Sequence, residues 1–358
     1  MPHSRRFISR AEARQPFFCG VDVGGTNIKA GVVDDLGRPL SWFTQPTHAR
    51  HGAENGARRI GESVLTVIEQ AGLKPEDIAR VGLGAPGTMD IPAGLLLDPP
   101  NLPGWIDFPL RDRVAEHCGR PVVFANDAGA ASYGEFWIGS GREFNSMVML
   151  TLGTGIGCGI IVDGLSIDGR HSHGAECGHM IIHCGEDARL CQCGRTGHLE
   201  AYTGAVAVTK RAQEALDAGQ PSSLSRRIAA GETLSPLLVS HEAEAGDELS
   251  TAIILDTGRF LGIGIVSLMH TIDPDGVVIG GAMTFGGDKT SIGRRFLQAV
   301  RNEVRRRAFP VPAEMTKIDY ASLGSDAGYI GAAGLARLAH RNAAGSSVMG
   351  HDLAAGTA

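Results

Sequence analysis

Two stretches of this chain share one pattern, and that pattern narrows the possible folds sharply. Val21-Asp22-Val23-Gly24-Gly25-Thr26 is an apolar run ending in glycines, and a second apolar run at residues 28–33 follows. Leu150-Thr151-Leu152-Gly153-Thr154-Gly155 repeats the pattern 129 residues later (Asp22 to Thr151), with an apolar run at residues 160–162 behind it. Each reads as strand, glycine loop, strand. A hairpin repeated at that distance points to a duplicated α/β domain. A ligand would sit in the cleft between two such halves. The length, 358 residues, agrees with two domains at roughly 150 residues each.

The rest of the pattern fits this frame. Ile60, Val64, Val67 and Ile68 recur at helical spacing and stop before Gly72. Residues 81–85 and 121–125 read as short strands, with Pro99-Pro100-Asn101-Leu102-Pro103-Gly104 as a loop between them. Asn126-Asp127 then opens a helix over about residues 128–137. Residues 251–269 form a long apolar helix pattern, 277–279 a strand ending at Gly280-Gly281, and 326–339 a small-residue helix.

Composition excludes several classes. Hydrophobic residues make up 43% and charged residues 20%, enough to bury a core and too apolar for disorder. The net charge of −6 makes a poor general binder of nucleic acid. Glycine, 50 of 358, is about twice its usual share of roughly 7%, as expected of tight backbone loops. Four of the seven cysteines lie within residues 177–193, unlike a dispersed disulfide framework, so a reducing cytoplasm is expected. No apolar run reaches about 18 residues, and no membrane span is expected. Residues 1–16 carry Arg5, Arg6, Arg10 and Arg14 but no apolar segment, which reads as a disordered leader rather than a secretory signal.

Three groups of residues carry possible chemistry. In Asp22-Val23-Gly24-Gly25-Thr26-Asn27-Ile28-Lys29, glycines at a strand end let backbone N–H groups approach a phosphate, with Thr26 and Lys29 as further donors and Asp22 as a Mg²⁺ ligand. An ordinary hairpin turn is the competing reading, and the second loop, residues 153–159, weighs against it. Neither loop has Walker A spacing, and a strand follows the second, unlike the dinucleotide motif. Asp127 is either part of a plain helix cap or a base that takes a proton from a substrate hydroxyl. His179, Cys191, Cys193 and His198 offer two imidazoles and two thiols, a set suited to tetrahedral zinc, the alternative being incidental cysteines and a core histidine.

Taken together these motifs resemble the ROK family of sugar kinases and repressors, in the expected order from about residue 17 to 339. Residues 22–29 look like its first phosphate loop. Gly82-Leu83-Gly84-Ala85-Pro86-Gly87-Thr88 looks like its sugar-contacting segment, and Asn126-Asp127 like its catalytic dipeptide. Residues 153–159 match the second phosphate loop, and Gly174-x-Glu176-x-Gly178-His179 the G-x-x-G-H signature. Cys191-x-Cys193-Gly194-x-x-Gly197 matches the zinc loop, and Gly280-Gly281 an adenosine-binding turn.

The resemblance implies a two-domain actin/hexokinase-like (ribonuclease H-like) α/β fold with a ligand cleft between the domains. The expected domains are residues 17–127 joined by a C-terminal helix at 326–342, and residues 128–325 with the zinc loop. Residues 343–358 would be a mobile tail. The implied activity is ATP-dependent phosphorylation of glucose at the 6-hydroxyl with Asp127 as base. Alternatives are another hexose or an N-acetylhexosamine as acceptor, polyphosphate as donor, or a sugar-sensing repressor. The repressor reading is disfavoured because too few residues precede the first loop for a helix-turn-helix domain.

Gly87, Thr88, Asn101, Asn126, Glu176, His179 and Glu200 would hold the sugar. Asp22, Gly24, Gly25, Thr26, Asn27, Lys29, Gly153, Thr154, Gly155, Gly280 and Gly281 would hold ATP and Mg²⁺. His179, Cys191, Cys193 and His198 would hold a structural Zn²⁺, His198 standing where the family usually has cysteine; Cys177 and Cys184 are alternatives for that ligand. The resemblance further implies a homodimer whose partner is a small sugar, with no nucleic acid and no membrane.

Overall fold

The structure, a computed structural model, describes residues 6–354. The chain divides into two compact units. The first takes the chain up to Arg142, Asp168–Gly174 and the chain from Ser325; the second takes Glu143–Ile167 and Ala175–Gly324.

The first unit is built on strands β1 (Phe17–Val23), β2 (Asn27–Val33), β3 (Pro39–Pro46), β4 (Ile78–Ala85) and β7 (Val122–Asn126), in the order β3-β2-β1-β4-β7. β1, β2 and β3 pair antiparallel, whereas β4 and β7 run parallel to β1. A small hairpin, β5 (Thr88–Asp90) with β6 (Leu95–Asp98), stands apart from the sheet. Helix α1 (Ala53–Gln70) buries Ile60, Val64, Val67 and Ile68 along one stripe. Helices α2 (Leu110–Cys118) and α3 (Asp127–Ile138) follow.

The second unit repeats the plan. β8 (Met147–Leu152), β9 (Ile156–Val162), β10 (Leu165–Ser166), β11 (Gly276–Gly280) and β12 (Lys317–Tyr320) run in the order β10-β9-β8-β11-β12. Again the first three pair antiparallel and the last two are parallel. The repeat read from the two glycine hairpins therefore extends to a shared five-strand topology. The helices are α4 (Glu200–Thr203), α5 (Ala205–Asp217), α6 (Leu224–Ala229), α7 (Pro236–Glu244), α8 (Glu248–Ile272), α9 (Ser291–Arg307) and α10 (Pro310–Met315). α8 is long and apolar enough to cross a bilayer, contrary to the expectation of no such run; most of its apolar stretch is instead buried inside the unit.

The last helix, α11 (Ala327–Ala354), belongs to the first unit. Its small residues let backbones meet. A Cβ on Gly20 of β1 would lie 1.8 Å from the Tyr329 carbonyl oxygen, and one on Gly82 of β4 would lie 1.8 Å from that of Ala332. A Cβ on Gly331 would lie 1.6 Å from the Ala130 oxygen of α3.

Three expectations need correction. Residues 6–16 are no free leader. Ile8 N–H donates to the Pro39 carbonyl (3.0 Å), Arg14 N–H to Asp34 Oδ2 (3.1 Å), and Arg38 Nη2 to the Glu12 carbonyl (2.8 Å). Residues 1–5 lie outside the described residues. The boundary expected after Asp127 falls at Arg142, because α3 packs on α11. The final helix continues past 342 to Ala354, where a mobile tail was expected; residues 355–358 lie outside the described residues.

Candidate active site

Within the first unit, the loop Gly24–Thr26 joins β1 to β2 and closes through Gly24 N–H to the Asn27 carbonyl, 2.9 Å. The register pairs Asp22 with Lys29, and Lys29 Nζ donates to Asp22 Oδ2 at 3.1 Å. These two expected cofactor ligands therefore face one another, both partly buried. Asp22 also lies against the start of α11: a Cβ on Gly328 would come 2.6 Å from its carboxyl carbon.

The expected sugar segment is brought to the same loop. Gly87 takes φ +90°, and a Cβ there would lie 2.5 Å from Pro99 Cα. Thr88 pairs with Asp98 across the β5–β6 hairpin. A Cβ on Gly25 would lie 2.8 Å from the Asn101 backbone oxygen. Gly25, Gly87, Thr88 and Asn101 thus belong to one contact set. Sequence reasoning missed the β5–β6 hairpin, whose strands of three and four residues are too short to show a period.

Asn126 ends β7 and caps α3. Its Oδ1 accepts from Ala128 N–H (2.9 Å) and Gly129 N–H (3.3 Å), leaving the amide NH₂ as a donor. Asp127 opens the helix half-buried, with Oδ1 accepting from Ala128 N–H at 2.8 Å. A carboxylate at that position is favoured by the helix dipole.

Within the second unit, Gly153 N–H donates to the Gly155 carbonyl (2.9 Å), and the Gly153 carbonyl accepts from Ala205 N–H (2.9 Å) at the start of α5. Thr154 is exposed at the loop tip. Gly281 takes φ +89° and packs on Leu152; a Cβ would lie 2.2 Å from its carbonyl oxygen. The Gly280–Gly281 turn therefore lies beside the Gly153 loop. A Cβ on Gly178 would lie 2.4 Å from the Ile156 carbonyl oxygen, so the Glu176–His179 segment meets β9 directly after the loop.

His179, Cys191, Cys193 and His198 offer ligand atoms that all lie within 4.8 Å of one another. His179 Nδ1 and His198 Nδ1 are 3.2 Å apart, and Cys193 Sγ is 3.2 Å from His198 Nδ1. His179 Nε2 points elsewhere, 3.9 Å from Glu176 Oε2. Burial pushes the Cys191 thiol up to about 12 against the backbone N–H of Cys193, with the adjacent Glu200 adding to the rise, and burial with the neighbouring His179 holds His198 below the usual histidine range. Two imidazoles and two thiols gathered this closely fit a divalent metal. Cys177 and Cys184 are not part of the cluster: Cys177 is buried against Cys158, and Cys184 is exposed.

Glu200, at the start of α4, is tied to both features. Its Oε2 accepts from Ile156 N–H (3.0 Å) and its Oε1 from the Cys191 thiol (3.3 Å). A Cβ on Gly155 would lie 2.0 Å from Oε2. Sequence reasoning placed Glu200 on the sugar alone and had no signal for its contact with the loop, 44 residues upstream. It also passed over Thr47, whose bonds to the Gly24 loop join residues more than 20 apart.

Residues 18–339 match the model of the ROK family. The chain belongs to the ROK family. It is 31% identical over 315 residues to a glucokinase of Halalkalibacterium halodurans, covering 88% of this chain and 93% of that one. A ROK family glucokinase from Streptomyces griseus, solved in complex with glucose and AMPPNP, is similar with a TM-score of 0.72 and 32% identity, over 90% of this chain and 99% of that one. A xylose repressor of Caldicellulosiruptor bescii is 28% identical over 317 residues, covering 87% of this chain and 76% of that one. The mixed α/β architecture of this ROK chain is the actin/hexokinase-like fold shared by its ROK kinase neighbours.

Proposed function

We propose that this ROK-family chain, an ATP-dependent hexose kinase, transfers the terminal phosphoryl group of ATP to the 6-hydroxyl of glucose. The observation that carries this reading is its similarity, over nearly the whole of both chains, to a glucokinase holding glucose and AMPPNP. Asp127 takes the proton of the 6-hydroxyl as its oxygen attacks the terminal phosphorus and ADP leaves. The amide NH₂ of Asn126, together with Glu176, His179 Nε2 and Glu200, holds the other hydroxyls. Backbone N–H groups of the Gly24 and Gly153 loops receive the phosphates.

Mg²⁺, held through Asp22, supplies neutralisation of the phosphate charge when bound. Zn²⁺ on His179, Cys191, Cys193 and His198 supplies a fixed anchor for the loop that carries these residues. His179 Nδ1 faces His198 Nδ1, so a metal held by this cluster would leave Nε2 to the sugar and would fix the ring. Homodimerisation and a cytoplasmic location belong to the same reading.

A coupled assay over glucose, mannose, fructose, N-acetylglucosamine and N-acetylmannosamine, with ATP and with polyphosphate, tests it. The highest kcat/KM is expected for glucose with ATP. A higher value for an N-acetylated sugar would overturn the acceptor, and a higher value with polyphosphate the donor. No turnover with any sugar, together with sequence-specific DNA binding, would instead favour the repressor role named for the Caldicellulosiruptor relative.

A further inference from the structure

Thr47 follows β3 and is fully buried, yet it makes the bonds that shape the Gly24 loop. Its hydroxyl donates to the Gly24 carbonyl at 2.6 Å, and its N–H donates to the Thr26 carbonyl at 2.8 Å. The C=O and N–H of a trans peptide point to opposite sides. A Gly24 carbonyl fixed toward Thr47 therefore turns the Gly25 N–H away from Thr47. Two adjacent glycines have little intrinsic preference for that orientation, because without Cβ they populate many conformations.

The same residue leads into a turn tied to the other side of the loop. The carbonyl of Ala49 accepts from the Trp105 indole N–H at 3.0 Å. Trp105 is wholly buried at the end of the segment that carries Asn101, and Asn101 meets Gly25. Gly24, Thr47, Ala49, Trp105, Asn101 and Gly25 thus form a closed ring of contacts.

We propose that Thr47 is a positioning residue for phosphoryl transfer. It presets the peptide planes of the donor loop and, through Ala49 and Trp105, holds that loop in register with the segment expected to meet the sugar. The proposal rests on the kinase reading above. A donor loop ordered before ATP arrives loses less conformational freedom on binding, so the contribution of Thr47 is read in ATP affinity.

Thr47→Val keeps the shape and removes the hydroxyl. At saturating sugar, kcat/KM for ATP is expected to fall about five- to thirtyfold, in line with a lost hydrogen bond that strands a partly buried acceptor. The KM for sugar should move less than the KM for ATP, and Thr47→Ser should restore both. An unchanged KM for ATP in a folded Thr47→Val, or a Ser variant as impaired as Val, would overturn the proposal. Should Thr47→Val not fold, Trp105→Phe opens the ring at Ala49, and an ATP KM equal to wild type would overturn it equally. Wild-type protein without ATP-dependent sugar phosphorylation would instead sink the kinase reading itself.

Discussion

Asp127 and Gly155 show how much can hang on single atoms. Asn at position 127 keeps an oxygen to accept from Ala128 N–H, so Asp127→Asn should retain the fold while losing the base. A fall in kcat of about 10²–10⁴ is expected, measured with circular dichroism as a control on folding. Gly155→Ala places a methyl group where the Glu200 carboxylate lies, and that carboxylate is already held by Ile156 N–H and the Cys191 thiol. It should therefore raise the Michaelis constants for ATP and sugar together; a change in ATP alone would show that Glu200 does not serve the sugar. At this scale, the placement of side chains was legible where it depended on spacing. His198 stands five residues after Cys193, so its place in the cluster could be read from spacing. The bonds of Glu200 to Ile156 and of Thr47 to Gly24 could not, because each joins residues more than 20 apart.

Among elements, the loop carrying Cys191, Cys193 and His198 acts as a clip. Leu190 bridges to Thr196 and Ile181 to His198, and a Cβ on Gly197 would lie 1.9 Å from the His183 carbonyl oxygen. His198→Ala should lower zinc content, measured by atomic emission, and raise the KM for sugar more than that for ATP; full zinc content with normal kinetics would remove His198 from the ligand set. A second element-scale test concerns α11. Gly331→Ala has no room against α3, and overpacking of this kind costs about 1–3 kcal/mol, which urea unfolding would report. The glycine hairpins and α8 were visible in the sequence as long periodic or repeated runs. The end of α11 was not. Residues 343–354 read as a Gly/Ala/Ser tail, yet alanine is the best helix former and the helix is already nucleated upstream.

For the whole molecule, acid stability follows from carboxylates held in place. Burial pushes the Asp34 carboxyl up, but hydrogen bonds from Arg38, Arg14 N–H, Arg38 N–H and Leu36 N–H outweigh it and hold the group below its ordinary value. A depressed folded-state pKa gives stability that is complete above the unfolded value, near 3.9, and is lost as pH falls through the folded one. Asp34→Asn should thus cost about 1–3 kcal/mol at pH 7, and the gap to wild type should close toward pH 2 in denaturant melts. A gap independent of pH would assign the loss to packing. Two units of like topology were legible from the hairpin repeat; their boundaries were not, since the capture of α3 by α11 depends on contacts between residues about 200 positions apart.

The first unit draws on both ends of the sequence, whereas the second is nearly continuous. Synthesis on the ribosome makes α11 after every other described element. Until it emerges, the glycine faces of β1 and β4 and the surface of α3 have nothing to pack against. The second unit can complete its core while the chain is still being made, but the unit bearing Asp127 must wait for its last helix. Released chains truncated before Ser325 should accordingly show protease resistance in the second unit and leave the first open to cleavage.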